Sequence, residues 1–158
     1  MAIKRTPADS WFSKCVRIRN NWICEYCNVS YEHDRSYVHC SHYVSRSNRS
    51  TRYHPDNAFC HCVRCHEILG GGRWGGGNHA EFAYHYDEVF GSEKREFIRK
   101  LSKYPFPHHN KHIKPIASYY RQIYQEIEEM RNNGEACRIE FESYDGSLEL
   151  NALALSLI

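Results

Sequence analysis

The sequence predicts an α+β protein in which N- and C-terminal helices flank a small core rich in cysteine and histidine. Three observations lead to this prediction. Apolar residues recur with helical periodicity before residue 23 and after residue 78. Between these regions the periodicity is absent, and two short β-like pieces occur at residues 37–40 and 58–62. Two Cys-x-x-Cys units, which begin at Cys24 and Cys62, bracket this central segment.

The N-terminal helix is predicted to begin after Thr6, a good N-cap that is followed by Pro7 and, three residues after the cap, by Asp9. Its apolar face consists of residues spaced at i, i+4, i+7 and i+11, namely Trp11, Cys15, Ile18 and Trp22. We expect the helix to break near Asn20.

Three more helices are predicted in the C-terminal half. A glycine-rich break at residues 70–77 precedes a helix that begins at Asn78 and ends at Gly91. Ser92 is expected to cap the next helix, which Pro105 ends.

The last predicted helix runs from about Pro115 to residues 132–134, where Asn-Asn-Gly ends it. Residues 138–141 form a candidate strand. We expect a surface loop to carry three histidines before this helix, namely His108, His109 and His112.

The length of 158 residues suits one domain with a modest core and appended helices. We expect residues 1–91 to form the core with its N-terminal helix and zinc site, residues 92–134 a helical extension, and residues 135–158 an acidic tail of open role. No apolar run reaches 18 residues, and the N-terminus lacks the apolar stretch of a signal peptide. We therefore expect a cytoplasmic protein with no membrane partner.

Positive charge is concentrated in the N-terminal part of the chain. Residues 1–65 carry ten Lys and Arg against five Asp and Glu, a net charge of +5 in a chain whose net charge is +2. No acidic residue lies between Asp34 and Asp56, where Arg46, Arg49 and Arg52 fall. Such a cluster indicates a phosphate-facing segment, although a solvated basic surface has the same composition.

Eight cysteines and eleven histidines are more than packing requires. Paired Cys-x-x-Cys units without a secretory signal indicate a metal site, not disulfides. Each unit presents two thiolates from one tight turn, and four thiolates complete the tetrahedron that structural Zn²⁺ requires. The predicted ligands are Cys24, Cys27, Cys62 and Cys65. Since 34 residues separate the two units, a substantial segment must fold between them.

That inserted segment contains residues suited to phosphodiester hydrolysis, which needs an activated water, a cation near the leaving oxygen and groups that hold the phosphate. His42 suits the role of general base because imidazole titrates near neutral pH. His66, which directly follows Cys65, can ligate a divalent metal ion. Asn57 lies between the two histidines and can hold the loop that orients the base.

The order of His42, Asn57 and a Cys-x-x-Cys-His unit resembles the His-Asn-His endonuclease family. More narrowly, residues 40–46, 51–53, 56–57, 62–65 and 77–82 resemble the NinG/Rap family, lambdoid-phage recombination nucleases that act on branched DNA. The similarity extends over roughly residues 10–90, and the combination of spacings is more specific than any single motif.

The resemblance implies a ββα-metal core, in which a helix follows a two-stranded ribbon and one catalytic ion lies between them. It implies a metal-dependent endodeoxyribonuclease that cuts Holliday junctions or forks, with His42 as general base, Asn57 holding it and His66 as a metal ligand. Arg46 and Arg52 would hold the DNA backbone. Mg²⁺ and Mn²⁺ both suit such imidazole and oxygen ligands.

Two further expectations concern the DNA. Trp74, at the centre of the glycine run, is expected to be an exposed aromatic residue that can stack on bases. Symmetric cutting of a four-way junction would call for a homodimer.

The sequence departs from the family pattern at the residue before the base. Many His-Asn-His enzymes have Asp or His there as a second metal ligand, whereas this chain has Ser41, a poor ligand. The candidates for the missing ligand are His39, Asp56 and His79. His39 shares a strand face with Ser41 because side chains alternate along a strand.

A non-catalytic zinc-containing DNA-binding module is the alternative that the sequence leaves open. The same cysteines and arginines would serve it, and Ser41 favours it. The ordered set of His42, Asn57 and His66 favours the enzyme. A zinc deaminase is set aside because neither Cys-x-x-Cys unit follows a proline, and the glycine run lacks the Gly-Lys-Ser/Thr of a nucleotide-binding loop.

Overall fold

The computed structural model describes residues 3–70, 76–106 and 109–144. Within these residues the protein has five α-helices and one two-stranded antiparallel sheet, which confirms the predicted α+β class. No helix in this part of the chain is long and apolar enough to cross a membrane. The elements are α1 (Pro7–Arg19), β1 (Val38–His42), β2 (Ala58–Cys62), α2 (Val63–Gly70), α3 (His79–Phe90), α4 (Ser92–Leu101) and α5 (His109–Asn132).

Helix α1 begins where the sequence predicts. The Oγ1 of Thr6 accepts a hydrogen bond from the backbone N–H of Asp9, at 3.3 Å, and the Asp9 carboxylate accepts one from the Thr6 N–H, at 2.6 Å. This reciprocal pair satisfies N–H groups that the helix itself leaves free. Of the predicted apolar face, Cys15 and Ile18 are buried and Trp11 is partly exposed. Phe12, which the periodicity did not assign to this face, is buried as well.

Strands β1 and β2 form an antiparallel ribbon in which Ser41 is opposite Phe59 and His42 is opposite Ala58. Because side chains alternate along a strand, His39 and Ser41 face one side and His42 faces the other. Helix α2 follows β2 directly and covers the side of His39 and Ser41. Helix α1 lies on the opposite side, where the rings of Phe12 and His42 are 6.0 Å apart.

The remaining helices support this unit from two directions. Helix α5 packs along α1, with the Phe12 and Tyr120 rings 5.0 Å apart. Helices α3 and α4 bury Phe82, Tyr86 and Ile98 in one cluster with Phe59 of β2. The strand–strand–helix unit is therefore enclosed by helices that come before and after it in the chain.

Helix α5 begins six residues earlier than predicted and contains Pro115 in its interior. His109 is buried, and its ring stacks on Tyr53 with centroids 5.8 Å apart. This packing explains how the first turns persist although proline removes one helical hydrogen bond. The predicted surface loop is wrong for His109 and His112, which lie in α5, and His108 lies outside the described residues.

Two other local predictions are wrong. Helix α4 starts at Ser92 itself, and its N-cap is Gly91 with a φ of +88°, so Ser92 does not cap it. Residues 138–141 form no strand. They are held instead by a backbone hydrogen bond from Ile139 to the carbonyl of Arg19 and by an ion pair between Arg138 and Glu25.

Candidate functional site

The two Cys-x-x-Cys units meet in one cluster. The four Sγ atoms all lie within 4.8 Å of one another, and those of Cys27 and Cys62 are 3.9 Å apart. Four sulfurs bound to one zinc ion at about 2.3 Å lie about 3.8 Å from one another. The donor set therefore fits a structural Zn²⁺, as the sequence predicts, with ligands Cys24, Cys27, Cys62 and Cys65.

Local backbone geometry explains why these thiols converge. Cys24 and Cys27 occupy a tight turn closed by the hydrogen bond from Asn28 N–H to the Cys24 carbonyl, and Asn28 has the positive φ of +58° that such a turn requires. Cys62 ends β2 and Cys65 lies in the first turn of α2. The N–H of Cys62 donates to the Cys24 sulfur at 3.2 Å, so the backbone also stabilises thiolate charge.

His42 lies at the end of β1 with one ring nitrogen committed to the protein. Its Nε2 is 3.0 Å from the carbonyl oxygen of Arg52, so Nε2 carries the proton and donates it. The Nδ1 atom then has a free lone pair. Burial lowers the pKa of His42 to about 4, so the ring is neutral and able to accept a proton at pH 7.

Asn57 is fully buried and ties together the loop between the strands. Its Oδ1 accepts a hydrogen bond from the Val44 N–H at 2.8 Å. Its Nδ2 donates to the carbonyls of Val44 and Thr51, each at 3.0 Å. Because Arg52 follows Thr51, these bonds fix the position of the carbonyl that orients His42.

His39 and His66 approach each other from β1 and α2. Their Nδ1 atoms are 3.3 Å apart. Two nitrogens that bind one ion at about 2.1 Å lie roughly 3.0–3.4 Å apart, in octahedral or tetrahedral geometry. Burial lowers the pKa of both imidazoles, which favours the neutral form that ligates metals. Of the predicted extra ligands, His39 is therefore the one that the structure brings to His66.

The three imidazoles line a cleft of about 420 Å³ that is bordered by α1, by β1 and, through His66, by α2. An adjoining cleft of about 460 Å³ shares His42 and His66 and includes His79, which is exposed. Arg46 lines both clefts, and its Nη2 donates to the carbonyl of Ile3 at 3.0 Å.

Two cleft residues, Arg5 and Arg17, were missed by sequence reasoning. Both come from the region of α1, outside the segment rich in cysteine and histidine. The only local signal is the polar stripe on α1, because Asp9, Ser13 and Arg17 recur at i, i+4 and i+8 and all line the cleft.

Other predicted residues lie away from this cleft or face the interior. Arg52 is 5% exposed, and its Nε and Nη2 donate to Asp9 at 2.8 and 2.6 Å, so its guanidinium is directed at the protein. Asp56 pairs with Lys94 at 3.2 Å. Arg49 lines a different, small pocket near Tyr53, and Trp74 lies outside the described residues.

Ser41, which takes the place of a metal ligand in the family pattern, is fully buried and its Oγ has no hydrogen-bond partner. A Cβ added to Gly70 of α2 would lie 3.7 Å from this oxygen and 3.3 Å from the His66 ring. The absence of a side chain at Gly70 therefore allows α2 to approach β1 closely at this point.

Comparisons with protein families, with curated proteins and with solved structures find no match to this chain.

Proposed function

We propose that the protein is a metal-dependent endodeoxyribonuclease that hydrolyses phosphodiester bonds at the cleft bordered by α1, β1 and α2. One observation carries the proposal. Three neutral imidazoles, those of His39, His42 and His66, line the same cleft as Arg5, Arg17 and Arg46. The histidines lie on β1 and on α2, the helix that follows β2. This arrangement suits the groups that phosphodiester hydrolysis requires, and it agrees with the resemblance to His-Asn-His nucleases.

His42 acts as the general base in this proposal. Its Nδ1 takes a proton from the attacking water, while the bond from Nε2 to the Arg52 carbonyl fixes the tautomer and the ring orientation. Asn57 supports that carbonyl indirectly, through its bond to the adjacent carbonyl of Thr51. The low pKa of His42 keeps the base free of a proton across the neutral pH range.

In this proposal His39 and His66 would hold a divalent ion, Mg²⁺ or Mn²⁺, and two imidazoles favour Mn²⁺ because Mg²⁺ prefers oxygen ligands. Such an ion supplies positive charge to the scissile phosphate and to the leaving oxygen. Arg5, Arg17 and Arg46 orient the phosphate from the cleft walls. Branched DNA as the substrate, and a homodimer to cut it symmetrically, rest on the family resemblance alone.

A second candidate function is a zinc-containing module that binds DNA without cutting it. One observation favours it. Among the residues that the structure describes, only the four cysteines form a group of three or more side chains able to hold one metal ion. His39 and His66 alone offer two ligands, and Ser41 adds none.

Cleavage of labelled four-way junction, fork and linear duplex DNA with Mg²⁺ or Mn²⁺ tests the proposal. We expect metal-dependent cutting that His42→Ala abolishes while zinc content and DNA binding persist. His33→Ala removes an exposed histidine outside the cleft and should cut normally. Tight binding without cutting under either metal would contradict the enzyme and support the binding module.

A further inference from the structure

A row of basic side chains continues from the cleft around the outside of α1. Arg17 lines the cleft, and Lys14 lies one turn before it on α1. Residues three apart are neighbours on a helix surface, so the two cations are adjacent. Arg121 of α5 extends the row, since its guanidinium carbon is 5.8 Å from the Trp11 ring that Lys14 also contacts.

The aromatic rings of Trp11 and Tyr124 lie beside the outer two cations of this row, Lys14 and Arg121. The Lys14 Nζ is 4.2 Å from the centre of the Trp11 ring and 5.7 Å from that of Tyr124. The rings of Trp11 and Tyr124 are 5.8 Å apart across the α1–α5 contact. Both helices therefore contribute to one surface, which we name the α1–α5 basic surface and which consists of Trp11, Lys14, Arg17 and Arg121.

The cations of this surface are not used for intramolecular ion pairs. In the described ranges, the salt bridges involve Arg19, Arg52, Lys94, Arg95, Arg99 and Arg138. Buried arginines such as Arg19 and Arg52 thus stabilise the fold. Lys14, Arg17 and Arg121 have no carboxylate within the 4.0 Å salt-bridge distance there. Their charge is available to a ligand.

We infer that the α1–α5 basic surface binds the DNA backbone beyond the scissile phosphate and directs one arm of the substrate away from the cleft. The inference rests on the proposed function. Arg17 lines the cleft and also belongs to the α1–α5 basic surface, so the row of cations is continuous with the cleft. A polyanion with regularly spaced phosphates can therefore contact both at once. From Arg17 to Trp11 the row follows six residues of α1, a length of about 9 Å. Phosphate contacts beyond the cut site fix the position of the substrate.

The test compares two variants that each remove two positive charges. Lys14→Gln/Arg121→Gln alters the α1–α5 basic surface outside the cleft. Lys103→Gln/Lys111→Gln removes two exposed lysines outside both the cleft and the α1–α5 basic surface and is the matched control. Both pairs are introduced into His42→Ala protein, and binding of labelled junction and duplex DNA is measured by anisotropy from about 0.05 to 0.3 M salt without added divalent ion.

We expect the surface variant to weaken binding about 10- to 50-fold near 0.1 M salt and to reduce the slope of log K against log salt by about 1.4–1.8, the value for two lost phosphate contacts. The control should keep the wild-type slope. Lys14→Arg/Arg121→Lys, which keeps both charges, should restore most of the affinity and thereby excludes misfolding as the cause.

Equal weakening by the two charge-removing pairs, or an unchanged slope in the surface variant, would overturn the inference. Failure of the proposed function has a different signature. In that case wild-type protein cuts no DNA with any metal, whereas the salt slope still depends on Lys14 and Arg121.

Discussion

At the scale of single residues, Asn57 connects the fold with His42, the proposed base. Its fully buried amide makes three hydrogen bonds, two to the backbone of Val44 and one to the carbonyl of Thr51. Asn57 therefore stabilises the loop between the strands and, through the Thr51 carbonyl next to Arg52, also helps to position His42.

Asn57→Ala is expected to lower the free energy of unfolding by about 2–4 kcal/mol, because it leaves buried backbone groups of Val44 and Thr51 unpaired. Urea denaturation measures this loss. Cleavage should fall further than the loss of folded protein explains, since the Arg52 carbonyl is no longer held. Asn133→Ala, at an exposed position, is the control, and a comparable loss there would contradict the assignment.

The assignment of His39 as a metal ligand can be separated from that of His79. His39→Ala is expected to raise the Mn²⁺ concentration required for half-maximal cleavage at least about 10-fold, because His66 loses its neighbour at 3.3 Å. High Mn²⁺ should restore much of the rate. A larger shift from His79→Ala than from His39→Ala, in the same metal titration, would show that the ligand comes from the adjoining cleft.

Sequence reasoning succeeded for residues whose role depends on local spacing. The zinc ligands belong to two short units, and the thiols are found together as predicted. Arg52 and Arg17 show the limit of this approach. Whether an arginine is buried against Asp9 or lines a cleft depends on how α1 docks on the ribbon, and no pattern within a few residues encodes that docking.

At the scale of elements, the turn that carries Cys24 and Cys27 is joined to β2 by more than sulfur. Glu25, within that turn, accepts hydrogen bonds from the N–H of Cys60 and from Arg138. Buried Arg19 donates to the carbonyls of Pro55 and Ala58. The zinc site is thus one of several links that bind this turn, the ribbon and residues 138–139 together.

Loss of the zinc site should release these elements. Cys62→Ser is expected to abolish stoichiometric zinc binding and to lower the melting temperature strongly, because a structural zinc ion contributes directly to folding. Zinc content and circular dichroism measure both effects. Cys137→Ser alters an exposed cysteine outside the cluster and should change neither. A Cys62→Ser protein with wild-type melting would show that the links through Glu25 and Arg19 suffice.

Element boundaries were predictable where a cap defines them and not where packing does. The box formed by Thr6 and Asp9 is local, and α1 starts there. The early start of α5 depends on the contact of His109 with Tyr53, which lies more than fifty residues away in sequence. Pro115 suggested a helix start because proline is common in the first turn of helices. Tertiary packing instead extends the helix upstream of it.

At the scale of the whole molecule, buried neutral histidines make the fold sensitive to acid. Burial lowers the pKa of His42 and His54 to about 4 and that of His61 to about 2. In the unfolded chain these groups titrate near pH 6.5. Between pH 6.5 and 4 the unfolded state therefore binds more protons than the folded state, and stability falls as pH falls.

Between about pH 6 and pH 4.5, the free energy of unfolding is expected to fall by about 3–4 kcal/mol per pH unit, close to the limit for three protons. Protonation of the zinc-binding thiolates acts in the same direction. His54→Asn isolates one group, since asparagine can still accept the bond from the Asp56 N–H. Urea denaturation should show a slope smaller by about 1.4 kcal/mol per pH unit in this variant. An unchanged slope would contradict the buried neutral state of His54.

The packing of α1 on α5 also bears on when the proposed active site becomes complete during synthesis. Helix α1 forms a wall of the cleft, yet its main helical support, α5, is translated about a hundred residues later. A nascent chain that has only reached α4 therefore has the proposed base and the proposed metal-binding histidines, whereas α1 still lacks the helix on which it packs most extensively. For a proposed nuclease made in the same compartment as DNA, this delay would keep a partly translated chain from cutting.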